Sequence, residues 1–481
     1  MDQMSRQRFL AIWLGFSLLY LGLAAVGPKG LRQNGVWPFI NQHLLQVRAW
    51  RGEDIVLPAD SASIREVVAV APGLAVTPYF EHWVVDDPRE RVLLSNIALG
   101  VRPADSGNRL DPVQYVPADS LVAKLQSEDL QCHVGLPLGP AFLMYPLRFL
   151  FGSALATQWL GALLGGLAVA LMDRLLSWWL EAIRGEGVLK GGERVMLLGL
   201  AGLGTLWIWL VPQGEMWFFA QTVATCGYTL ALVLAWRRRW LTAGLAYALA
   251  ITSRPTILLG LPILLAILAY QSGPGDRLGG PDRTSRFRAL LAAMVFPTLI
   301  GGLHLVINFF RFGSPLEFGY RFLLTPPQLR QAFETYGQLN PHFLPTNLRY
   351  LFYQPPVPVV SDSGGWSFPF LASDPYGMGL LFVTPAFIGV LLSVGGRWRG
   401  RGLVAACWLS LLLVTLPALF YFNTGWVQWG GRYLLDSWPL WLLLTALGLG
   451  RLDRRVATLL VAASIVSNVV AAVAMAGGFW P

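Results

Sequence analysis

Apolar blocks of about 15–25 residues recur along this chain, the length that a bilayer core asks of a helix. A segment inside lipid must satisfy its own backbone hydrogen bonds, so blocks this apolar read as helices. Of 481 residues, 54% are hydrophobic and 13% charged, and the mean hydropathy is +0.52. Soluble domains carry about 25% charged residues, and a soluble chain this long would divide into several domains. Strand alternation is absent. The blocks fall at 9–26, 154–179, 194–211, 215–236, 241–252, 256–270, 288–309, 377–394, 402–422, 436–450 and 456–476. They predict an all-α polytopic membrane protein of about eleven transmembrane helices.

Basic residues in the short loops set the orientation. Arg174, Arg184, Lys190 and Arg194 share one loop, and Arg237, Arg238 and Arg239 fill the next turn. Arg277, Arg283, Arg286 and Arg288 follow, then Arg397, Arg399 and Arg401, and last Arg451, Arg454 and Arg455. All fall on the side of the N-terminus only if 241–270, interrupted by Ser253-Arg254-Pro255, crosses twice. The reading is a multi-pass membrane protein, N-terminus inside and C-terminus outside. The first block follows Arg6 and Arg8 and lacks a clean small-x-small cleavage site, so 1–27 reads as a retained signal anchor.

The net charge of +9 comes from these arginine turns, with no extended basic domain. It points to anionic lipid headgroups and not to nucleic acid. Cys132, Cys226 and Cys407 are too few and scattered for a disulfide framework or a zinc site.

The polar residues gather on the opposite side. The first outer loop, 28–137, holds 13 of the 27 acidic residues. In it, 37–50 has the spacing of an amphipathic interfacial helix. A second helix is expected from about Ala118 to Leu125, and short strands at Val67–Val70 and Trp83–Val85. Leu136–Phe151, broken by three prolines, reads as re-entrant or interfacial, and opens the membrane helices of 138–310. A second outer loop, 311–375, is rich in proline and aromatics. Loops this long are commonly functional. The final membrane region, 376–481, includes a short polar-aromatic outer segment, 421–436.

Four local patterns carry a resemblance: Gly135–Ala141 (GLPLGPA), Thr252–Thr256 (TSRPT), Arg311–Arg321 (RFGSPLEFGYR) and Gly430–Asp436 (GGRYLLD). In this order, behind a signal anchor and a large outer loop, they resemble the GT-C superfamily of membrane glycosyltransferases, such as protein O-mannosyltransferases and aminoarabinose transferases. The resemblance covers most of the chain except about 57–130. It implies a GT-C-like fold with a large first periplasmic loop, and a polyprenyl-phosphate sugar as donor. One departure matters. Such enzymes place an acid just after the first span as catalytic base, whereas here the first acids are Glu53 and Asp54.

Sugar transfer needs a base for the acceptor hydroxyl, donors or cations for the leaving phosphate, and in some enzymes a divalent metal. Asp54 is the best-placed base, with Asp87 of the Asp86-Asp87 pair as runner-up; that pair could hold a metal with His82. Any one of these acids can equally be solvated loop surface. Arg254, Arg321 and Arg432 suit phosphate. Their structural alternatives are a tie across a helix break for Arg254, a pair with Glu317 for Arg321, and an anchor pairing with Asp436 for Arg432. Trp426, Trp429 and Tyr320 are candidate sugar or acceptor contacts, or belong to an aromatic belt. His304, within an apolar block, reads as a satisfied buried histidine.

The leading expectation is a glycosyltransferase acting on an outer-face acceptor, with the lipid-linked donor and membrane lipids as partners. A non-enzymatic GT-C-like scaffold that binds a protein through its first outer loop is the alternative. A lipid or sugar transporter ranks third, because charges within the spans are few and no inverted repeat is apparent.

Overall fold

The computed structural model describes residues 3–26, 56–57, 66–67, 73–79, 82–86, 91–95, 100–103, 131–134, 137–151, 157–185, 189, 191–214, 216–271, 283–312, 314–318, 327–361, 364–425 and 428–476. Six helices among them are long and apolar enough to cross a bilayer: Ser5–Val26, Thr157–Arg184, Trp217–Trp236, Thr284–Phe310, Arg401–Phe420 and Arg454–Ala476. Gly191–Gly202 and Trp207–Gln213, bent by 43°, make a seventh if taken as one broken span. The remaining apolar blocks are helical but shorter. Block 241–270 forms Trp240–Ser253, a 3-10 turn over Pro255–Gly260, and Leu261–Tyr270. Block 377–394 breaks into Leu380–Val383, Pro385–Phe387 and Ile388–Leu392. Block 436–450 begins as a 3-10 turn, Arg432–Ser437, and continues as Trp438–Leu449.

We label the helices used below α1 (Gln3–Val26), α2 (Gly139–Phe151), α3 (Thr157–Arg184), α4 (Gly191–Gly202), α5 (Met216–Trp236), α6 (Trp240–Ser253), α7 (Leu261–Tyr270), α8 (Arg283–Phe312), α9 (Pro327–Tyr336), α10 (Arg401–Phe420), α11 (Trp438–Leu449) and α12 (Arg454–Ala476). The chain divides into two compact units, 1–31 with 156–299 and 338–481, and 32–155 with 300–337.

In the first unit every residue of α11 is buried, as befits a helix that is apolar all round. Trp438 stacks on Trp207 with centroids 5.0 Å apart, and its Nε1 donates to Thr205 Oγ1 at 3.1 Å. Trp179 Nε1 of α3 donates to the Leu443 carbonyl at 3.0 Å. Glycine lets helices touch where lipid supplies no hydrophobic drive between them. A Cβ on Gly448 would overlap the Gly389 carbonyl oxygen, and one on Gly166 would overlap α1 at Trp13 and Ser17.

The basic turns gather at one end of this unit. Arg174 donates to the Ser5 carbonyl, and Arg194 chelates the buried Asp173 at 2.5 and 2.7 Å. Arg184 pairs with Glu193 at 2.8 Å and donates to the Ala446 carbonyl at 2.6 Å. Arg399 N–H donates to the Ile183 carbonyl, and Arg451 to those of Leu392 and Val394. Arg238 donates to the Gln271 carbonyl, while Gln271 Nε2 donates back to those of Ala235 and Trp236. The last bonds close a hairpin: α6 leaves the basic end, turns at Arg254, and α7 returns to it. Tyr247 OH donates to the carbonyls of Ile257 and Leu258, tying the arms together.

The second unit contains an antiparallel meander, β3 (Gly73–Tyr79), β4 (His82–Asp86), β5 (Arg91–Ser95) and β6 (Gly100–Pro103), with β7 (Gln131–Val134) parallel to β3. Two-residue strands, β1 (Val56–Leu57) and β2 (Glu66–Val67), pair beside it in sequence. The expected strand at Trp83–Val85 lies within β4. Of Val67–Val70 only Val67 is in a described strand. The sheet as a whole was not anticipated, because these strands are short and interrupted by polar turns. The expected helices at 37–50 and 118–125 lie outside the described residues. Within Leu136–Phe151, Gly139–Phe151 forms α2, with Pro146 inside it. His304 of α8 is 3% exposed and accepts the Leu138 N–H at 3.4 Å, with Phe142 and Phe318 edge-on to its ring. This is the satisfied buried histidine expected.

Candidate functional site

At the end of the first unit opposite the basic turns, two sequence patterns some 180 residues apart meet. α5 is 21 residues long, about 31 Å, so its two ends lie a bilayer core apart. Its last residues adjoin Arg237–Arg239; its first turns carry Phe218 and Gln221 against the turn Arg432–Ser437.

Arg254 sits at the tip of the α6–α7 hairpin with an extended backbone, φ −141° and ψ 98°. Pro255 removes the next backbone donor and disfavours a helical conformation at Arg254. The side chain is thereby presented sideways to Asp436. Arg254 Nε donates to both carboxylate oxygens at 3.1 Å, and Nη2 donates to Oδ2 at 3.0 Å. Thr256 Oγ1 adds a bond to Oδ2 at 2.9 Å, and Gln221 Nε2 one to Oδ1 at 2.7 Å. Gln221 also donates to the Arg432 carbonyl at 2.6 Å, and Thr225 Oγ1 to that of Leu435 at 2.9 Å. Asp436 is thus a buried carboxylate with a guanidinium, a hydroxyl and an amide turned on it. Its side chain is 3% exposed and that of Arg254 15%.

Arg432 does not pair with Asp436; Arg254 has taken that place. The Arg432 residue is 7% exposed. Its guanidinium carbon lies 5.1 Å from the Phe218 ring centroid and 5.3 Å from that of Tyr433. Arg254 approaches the same Tyr433 ring at 5.5 Å, so one phenol ring stands between two cations. Among the described residues no carboxylate or other acceptor bonds the Arg432 guanidinium. Gly430 and Gly431 make the turn possible: a Cβ would press into Val383 at the first and Leu351 at the second.

The segment before this turn is held from outside. Met378 N–H donates to the Trp429 carbonyl at 2.9 Å, Ser373 Oγ to that of Gln428 at 2.7 Å, and Gln428 Nε2 to that of Tyr376 at 2.8 Å. Trp429 is 2% exposed. That burial leaves little of its ring surface open in this arrangement. Tyr350 and Tyr376 lie beside this segment with ring centroids 5.3 Å apart. Burial pushes the Tyr350 phenol above its ordinary range; Asp374 adds to the shift and Arg349 opposes it.

Asp54, Asp87, Tyr320, Arg321 and Trp426 lie outside the described residues. For the suggested metal pair, the β4 register sets His82 and Asp86 four residues apart, about 13 Å along a strand, a poor spacing for one ion. Gln221, Thr256, Phe218 and Tyr433 were missed. Gln221 had a signal, as a lone amide in an apolar block, where polar groups are costly and find partners. Thr256 and Tyr433 lie within the TSRPT and GGRYLLD patterns, which gave them no role of their own; Phe218 had no signal.

The fold and this cluster define a mainly helical protein, with six or seven helices apolar enough to cross a membrane and a polar, aromatic-walled cluster at one end of its first unit. No family model, curated protein or solved structure matches the chain.

Proposed function

We propose that the protein is a GT-C-type glycosyltransferase of the bacterial inner membrane, crossing eleven times with its N-terminus in the cytoplasm. It moves a sugar from a polyprenyl-phosphate donor to an outer-face acceptor. The observation that carries the reading is Arg432: a residue 7% exposed, its guanidinium beside two aromatic rings, with no carboxylate partner among the described residues. An unpaired charge in such a place is costly, and a ligand anion is what relieves it. The first turns of α5 face it, and the positive end of a helix dipole favours the same anion.

In this reading Arg432 bonds the donor phosphate, and Arg254, held by Asp436, fixes the wall on which Tyr433 stands. The acceptor hydroxyl oxygen attacks the anomeric carbon as the bond from that carbon to the phosphate oxygen breaks. The hydroxyl proton passes to a general base, for which the sequence offers Asp54 and Asp87, and polyprenyl phosphate leaves with the electron pair. The collection of basic turns at the far end of α5 supports the orientation, and the return of α7 to that end supports two passes by 241–270.

The test is transfer from defined polyprenyl-phosphate sugars by purified protein in liposomes. Arg432→Gln should abolish transfer and weaken donor binding while the protein remains folded. Undiminished donor binding by that variant would exclude the assignment of Arg432. Absence of transfer by the unmodified protein with any donor, together with a protein that co-purifies through residues 28–137, would favour the scaffold reading.

A further inference from the structure

A narrow apolar groove lies between α6, α7 and α8, remote from the Arg432 site. Trp240, Tyr247, Leu264, Leu268, Leu290 and Met294 are among its lining residues. Gly244 creates it by allowing α6 to press directly on the backbone of α8 at Ala293. Around it Leu241, Leu245, Leu265, Phe287 and Leu291 are exposed, so it opens on the lipid-facing side.

The groove ends on positive charge. Trp240 directly follows Arg237–Arg239, and Leu290 follows Arg283, Arg286 and Arg288. Trp240 and Leu290 line the same groove, as do Gly244 and Ala293 one turn further along each helix, so both helices start at the basic end. Arg237 is stacked on Trp178, and Arg238 bonds the Gln271 carbonyl. Arg239, Arg286 and Arg288 are exposed. Arg286 precedes Leu290 by four residues and so shares its face.

We propose that this groove is a binding site for one anionic phospholipid, with an acyl chain along α6, α7 and α8 and the headgroup at Arg239, Arg286 and Arg288. Charge complementarity selects the occupant: an apolar slot alone would take any chain, but this one ends on several guanidinium groups. The lipid reaches the functional hairpin through Tyr247, which lines the groove and whose hydroxyl holds the carbonyls of Ile257 and Leu258 just beyond Arg254. A seated chain braces the hairpin that carries Arg254. The site stands independently of the sugar-transfer reading.

Native mass spectrometry and thermal unfolding of the delipidated full chain test it, with phosphatidylglycerol and phosphatidylethanolamine of identical chains as probes. Phosphatidylglycerol should bind more tightly and raise the unfolding temperature more, while soluble glycerol phosphate should do neither. Arg239→Gln, Arg286→Gln and Arg288→Gln together should weaken phosphatidylglycerol binding about a hundredfold. Leu290→Trp, which fills the groove and leaves the arginines, should weaken both phospholipids. Equal binding of the two lipids by the unmodified protein, or unchanged phosphatidylglycerol binding in the triple variant, overturns the proposal.

Discussion

Arg254 grips Asp436 with three hydrogen bonds of 3.0–3.1 Å across 182 residues of sequence. The pair joins the tip of the α6–α7 hairpin to the turn that begins α11. Its position joins two otherwise unrelated patterns and leaves Arg432, unlike Arg254, without a carboxylate among the described residues.

Removing one member strands the other. Arg254→Gln leaves a carboxylate 3% exposed with only neutral partners. The expected loss is about 3–5 kcal/mol of stability, read as a lower unfolding temperature in detergent. Replacing both residues together with apolar ones of similar volume should cost much less than the single change. A double-variant loss equal to the sum of the two single losses would show that the pair is not coupled.

Arg432 should behave in the opposite way. Its guanidinium has no acceptor among the described residues, so Arg432→Gln relieves an uncompensated charge while forfeiting its contacts with Phe218 and Tyr433. Those contacts are worth about 0.5–2 kcal/mol each. The unfolding temperature should change little, while binding of polyprenyl phosphate falls. A large destabilisation would mean that Arg432 is structural.

Glycine positions separate packed helices from lipid-facing ones. Gly448→Val must displace the Gly389 backbone, whereas Gly402→Val meets nothing within 4 Å. The first should cost at least about 1–3 kcal/mol and reduce the yield of folded protein; the second should be near neutral. Fluorescence-detected size-exclusion profiles compare the two directly.

The two ends of the first unit should face opposite compartments. Arg239→Cys and Thr346→Cys, made singly with Cys132 replaced, place thiols at exposed positions; Cys226 and Cys407 are buried. In spheroplasts an impermeant maleimide should label position 346 at once, and position 239 only after the membrane is opened. Labelling of both from one side would refute the double passage of 241–270.

Much of this was legible from the amino acids. The length of the apolar blocks marked the membrane helices, since lipid leaves a helix as the way to close backbone hydrogen bonds. Arg254 stood out because an arginine followed by proline inside an apolar run is costly and breaks the helix there. The meander in 73–103 was not legible beyond Trp83–Val85. Short strands between polar turns carry little periodicity, and their pairing is set by partners distant in the chain.

The sequence alone determined that this chain carries helices apolar enough for a membrane, that the 241–270 block breaks at Arg254-Pro255, and which turns carry the positive charge. These follow from local hydropathy and from proline and glycine, and act within a few residues. Only the tertiary structure decided that Asp436 belongs to Arg254, that Arg432 lies beside aromatic rings with no carboxylate among the described residues, and that Trp429 is buried. Each depends on which helix ends meet, and that is settled by the burial of α11 and the close glycine contacts around it.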